Sequence, residues 1–89
     1  LRVGFKLADL VASEWGAKHV VMVGFMRGAA LELARAGIRV DAVELDRGLA
    51  AEALRSGFRV VGGVEAEDAL EQADAVIASG SILSDPCQG

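Results

Sequence analysis

Short runs that are apolar at every position alternate along this chain with stretches of helical spacing. Val20-Val21-Met22-Val23 and Ala75-Val76-Ile77-Ala78 are the clearest runs, and their lack of in/out alternation marks strands covered on both faces. Strands are predicted over residues 18–24, 38–45 and 75–78, with a third strand in chain order beginning at residues 58–61. Between them the pattern predicts helices over residues 29–36, 49–56 and 65–72, the first two stopped by Gly37 and Gly57. Leu7, Leu10, Val11 and Trp15 recur at helical spacing ahead of Gly16, which predicts an amphipathic first helix. Pro86 opposes helix continuation, and residues 82–89 are expected to be irregular or weakly helical.

Helices and strands in strict alternation imply parallel pairing through right-handed crossovers. The expected fold is α/β: one Rossmann-like half of three layers, a parallel sheet of about four strands in the order 3-2-1-4 with helices on both faces. In that order the fourth strand is an edge, although its side chains read as central. Bare apolar edges invite aggregation, so a cover is expected from the C-terminal tail, a second copy in a homodimer, or a missing domain. The words Gly37-Ile38-Arg39-Val40 and Gly57-Phe58-Arg59-Val60 stand 20 positions apart and read as one supersecondary unit used twice. No function attaches to the repeat at this level.

Composition narrows the class. With 89 residues there is room for a single small domain, and a hydrophobic fraction of 53% supplies its core mainly through Ala, Val and Leu. A net charge of -4 and scattered arginines argue against a nucleic-acid surface or an anionic membrane. The apolar stretch at residues 7–12 is interrupted by Asp9, and no run approaches the length of a membrane span. One cysteine, Cys87, permits no intrachain disulfide and fits a cytoplasmic setting.

Candidate chemistry gathers where strands end. Gly24-Phe25-Met26-Arg27-Gly28 forms a glycine-bounded turn into a helix lacking a Ser, Thr, Asp or Asn cap, so its amides are expected to face an anion. Met26 occupies the place of the second glycine of a dinucleotide fingerprint. Glu44, with Asp46 just beyond, stands where an acid would take a ribose hydroxyl pair. Arg27 is expected to hold a phosphate or carboxylate, or else to pair with Glu44. Across the switch crevice, Ser79-Gly80-Ser81 provides a second turn of small hydrogen-bonding residues. The candidate ligand-binding residues are thus Gly24, Phe25, Arg27, Gly28, Glu44, Asp46, Ser79, Gly80 and Ser81. His19 is predicted at the opposite end of its strand and is read as structural. No catalytic residue is assigned, and Cys87 has no neighbour at metal-ligand spacing.

Val23-Gly24-Phe25, the helix to Gly37, the strand ending in Glu44, and Ala73-Asp74-Ala75-Val76-Ile77-Ala78-Ser79-Gly80-Ser81-Ile82-Leu83 together resemble a known family. It is the Rossmann-like C-terminal domain of the heavy-metal chelation family, a group of largely uncharacterised prokaryotic proteins. The resemblance spans about residues 18–83. Ser79-Gly80-Ser81 is similar to the family's Thr-Gly-Ser turn, while Ser84-Asp85-Pro86 departs from its Asn-Gly-Thr. The resemblance implies a small-molecule or metal-complex site at the crevice and a separate N-terminal domain, which would make this chain a fragment. Val43-Glu44-Leu45-Asp46, residues 56–63 and residues 73–78 also resemble the nucleotide-binding domain that regulates potassium uptake. That second likeness implies NAD or another adenine nucleotide and a dimer. Cofactor identity is left between nucleotide and metal complex, and a purely structural dimerisation domain stands as the third alternative.

Overall fold

The computed structural model describes residues 15–78 and strand residues 81–84; the predicted stripe Leu7, Leu10 and Val11, the residues Ser79 and Gly80, and Cys87 lie outside them. Strand β1 (His19–Val23) leads into α1 (Arg27–Arg35), β2 (Arg39–Val43), α2 (Arg47–Arg55), β3 (Arg59–Val60), α3 (Val64–Gln72), β4 (Ala75–Ala78) and β5 (Ser81–Ser84). The sheet order is β3-β2-β1-β4-β5. The first four strands are parallel in the predicted 3-2-1-4 order, so the α/β fold is the one expected.

Two predicted details change. The tail expected to be irregular over residues 82–89 is a strand at residues 82–84: Ser81–Ser84 pairs antiparallel with β4, placing Ser81 opposite Ala78 and Ile82 opposite Ile77. This fifth strand supplies the cover that β4 requires, so neither a second copy nor a further domain is needed there. Arg27 and Gly28 are the first two residues of α1, not part of the turn before it, because Met26 is already the N-cap.

Strand alternation distributes the core over two layers. Val20 and Met22 of β1, Val40 and Ala42 of β2, and Ala75 and Ile77 of β4 pack with Ala30 and Leu33 of α1 and Ala53 of α2. On the reverse face Val21 meets Val61, Ala69 of α3 and Ala73. Helices α1 and α2 therefore cover one face and α3 the other. Full burial of a Leu, Ile or Met side chain contributes about 1.5–3 kcal/mol, and Met22, Leu33 and Ile77 are the largest such apolar residues.

The repeated words have a structural meaning. Gly37 and Gly57 adopt φ of 83° and 90° and close α1 and α2 identically, with Ile38 N–H donating to Leu33 O and Phe58 N–H to Ala53 O, both near 3.0 Å. Each word then delivers an arginine to the first position of a strand, Arg39 in β2 and Arg59 in β3. Their side chains converge on Asp41, whose Oδ2 lies 3.3 Å from Arg39 and 3.8 Å from Arg59. His19 Nε2 completes the cluster at 2.8 Å from the same oxygen. Asp41 is 1% exposed and is the one charged residue in the core of the described chain. His19 is structural, as its strand position implies, but its partner was not foreseen.

Candidate functional site

The carboxyl ends of β1, β2 and β4 lie side by side because Val23 is in register with Val43 on one side and Ala78 on the other. Immediately beyond them the chain opens a groove of about 350 Å3 lined by Val23, Gly24, Val43, Glu44, Leu45 and Ala78. This is the switch point of the sheet, with β2 beside β1 on one side and β4 on the other. The lining is mainly apolar, with one carboxylate, which is the composition typical of a small-molecule site.

Local hydrogen bonds fix this rim. Gly24 turns with φ of 84°, a conformation that L side chains rarely adopt, and its N–H donates to Val43 O at 2.9 Å. Phe25 N–H donates to Glu44 Oε1 at 2.7 Å, and Asp46 N–H to Glu44 Oε2 at 3.0 Å. Glu44 is thus a clasp between the loop after β1 and the loop after β2. Amide donation from Asp46, and then from Phe25, holds the Glu44 carboxyl below its ordinary range. Each oxygen accepts one amide and retains a lone pair for a further donor. Phe25 itself turns inward, buried and tilted against Phe58 with ring centroids 5.7 Å apart.

The start of α1 has no side-chain cap, as expected, but the amides of the turn before it are not free. The N–H groups of Gly24 and Phe25 are satisfied internally, and Met26 N–H points at Met22 Sδ at 3.4 Å. Asp46 is the N-cap of α2, accepting Leu49 N–H at 2.9 Å, so it serves the helix. Arg27 is neither in the groove nor paired with Glu44 among the described residues. It lines a different hollow of about 470 Å3 with Leu31, Glu52, Arg55 and Ser56, between α1 and α2. That hollow is larger and is bordered by the exposed Arg27 and Arg55 and the half-buried Glu52. Gly28 faces open space, since a Cβ there would meet nothing within 4 Å. Of the second turn, Ser81 opens β5 beside Ala78.

Of the nine candidate residues, Gly24 and Glu44 line the groove, and Phe25 and Asp46 brace Glu44. Sequence reasoning missed Leu45, which is 96% exposed at the mouth. Its signal was an apolar residue between two acids just past a strand. Asp74 was also passed over. Its Oδ2 accepts the N–H groups of Lys18 and His19 at 2.8 and 3.0 Å, tying the entry of β1 to that of β4.

Among the described residues no three His, Cys, Asp or Glu side chains group so as to hold a metal ion. No helix among them is long and apolar enough to cross a membrane. No protein-family model matches the chain, and no curated protein matches it in sequence.

Proposed function

We propose that this domain is a small-molecule binding module, with its ligand seated in the groove between Gly24, Glu44, Leu45 and Ala78. The observation that carries this reading is the groove itself: apolar walls, one ionised carboxylate, and a position at the carboxyl ends of β1, β2 and β4. No catalytic role is assigned to any residue. The metal-complex expectation fits poorly, because Glu44 is the one metal-ligating side chain among the described residues lining the groove. Membership of the heavy-metal chelation family remains a proposal on the motifs quoted above.

A nucleoside is the second reading, favoured by the unused lone pair on each Glu44 oxygen, which suits a pair of ribose hydroxyls. The satisfied amides of Gly24 and Phe25 weigh against a pyrophosphate there. We carry the homodimer forward only through the outer edge of β5, where sedimentation equilibrium tests it. A reducing, cytoplasmic setting belongs to the same proposal.

Thermal unfolding with NAD, NADP, adenine nucleotides, S-adenosylmethionine and divalent metals tests the reading. A true ligand at 100 times its Kd adds about 2.7 kcal/mol to stability. Ala78→Trp, which fills the groove, should abolish that gain, while His19→Ala should leave it intact. Equal loss in both variants, or stabilisation that survives Ala78→Trp, would place binding elsewhere.

A further inference from the structure

We propose that the groove selects a ligand carrying a protonated amine on an apolar body and rejects anionic ligands. This assignment rests on the groove being the ligand site and adds the chemistry of its occupant. Glu44 is the sole ionisable residue lining the groove among the described residues. Among the described residues neither it nor Asp46, one residue beyond Leu45, belongs to an ion pair; the ion pairs among them use Glu32, Asp41 and Glu65. Arg47, three residues on from Glu44, opens α2 and is not among the residues lining the groove, and Arg27 lines the other hollow.

Two amide donors hold Glu44 ionised, and these bonds occupy the Phe25 and Asp46 amides at the groove. A ligand that covers this carboxylate strips it of water. Under a neutral ligand the charge loses hydration without compensation, and under an anion it is repelled as well; an ammonium group restores the balance. The lone pairs left on Oε1 and Oε2 offer two acceptors to its N–H donors. Val23, Val43 and Ala78 form the wall for an apolar body, and Leu45 at the mouth extends it.

Titration of the 15N-labelled chain with cyclohexylammonium, cyclohexanol and cyclohexanecarboxylate tests this, read at the amides of Gly24, Leu45 and Ala78. One opposite charge about 4 Å away in a wet site is worth about fivefold in affinity, so the alcohol should bind about fivefold more weakly than the ammonium ion and the carboxylate more weakly again. Leu45→Lys, at an exposed position where folding is indifferent, should reduce ammonium affinity by about threefold or more and improve carboxylate binding. Equal affinities for all three probes at those amides would overturn the amine assignment and leave the ligand site standing. Probes that shift none of those amides would overturn both.

Discussion

Replacing His19 by alanine, alone and together with loss of the Asp41 carboxylate, measures what holds the amino ends of the sheet together. The 2.8 Å bond from His19 Nε2 reaches a carboxylate that is 1% exposed, whereas His19 itself retains 12% exposure. A hydrogen bond to a charged group contributes about 1.5–3 kcal/mol. In His19→Ala the carboxylate keeps Arg39 at 3.3 Å and Arg59 at 3.8 Å, so it is weakened but not stranded. The expected loss is therefore about 2 kcal/mol, a large part of the roughly 4–13 kcal/mol available to a domain this size. In Asp41→Ala the arginines, 55% and 46% exposed, simply rehydrate. His19→Ala should then cost little more in that background.

A double-mutant cycle by urea unfolding, followed by far-UV circular dichroism, should give a His19–Asp41 coupling of about 1.5–3 kcal/mol. A loss of about 2 kcal/mol moves the urea midpoint by roughly 1–2 M at ordinary slopes. Half a molar NaCl should weaken the exposed arginine contributions and spare the buried coupling. Coupling below about 0.5 kcal/mol, the level of an exposed surface pair, would refute the account of Asp41 as a buried hub.

Other outcomes follow from the same geometry. Gly24→Ala forces a side chain into φ of 84° and should cost about 1–2 kcal/mol, measured by chemical unfolding, whereas Gly28→Ala, at the second position of α1 with open space around it, should be neutral or stabilising. Glu44 and Asp74 have carboxyls held below their ordinary range, so each contributes stability that is present above the unfolded pKa near 4 and is lost as pH falls through its lower folded value. An acid titration of thermal stability should show that limb flattened in Glu44→Gln and in Asp74→Asn; an unchanged limb would remove both clasps from the account. A chain ending at Ala78 exposes the apolar edge of β4 and should self-associate in sedimentation velocity, whereas the full chain masks that edge.

Much of the fold is legible because local rules decide it. The all-apolar runs at Val20–Val23 and Ala75–Ala78 admit little besides central strands, and Gly37 and Gly57 stop their helices by backbone conformation alone. Glu44 is legible by its place one residue past β2. Ser81-Ile82-Leu83-Ser84 is too short and too polar at its ends to declare a strand; it becomes one because β4 needs a partner. The clasp role of Glu44 and the hub role of Asp41 depend on register between strands distant in sequence. The repeat that placed Arg39 and Arg59 alike was visible in the sequence, but Asp41 as their shared partner was not.

The central claim is that this domain binds a ligand where β1, β2 and β4 end, and amide shift mapping tests it most directly. With whichever compound stabilises the 15N-labelled chain, the largest shifts should fall at Gly24, Phe25, Leu45 and Ala78, with Arg55 and Ser56 unmoved. Shifts centred on Arg27, Arg55 and Ser56, leaving Gly24 and Leu45 still, would contradict it.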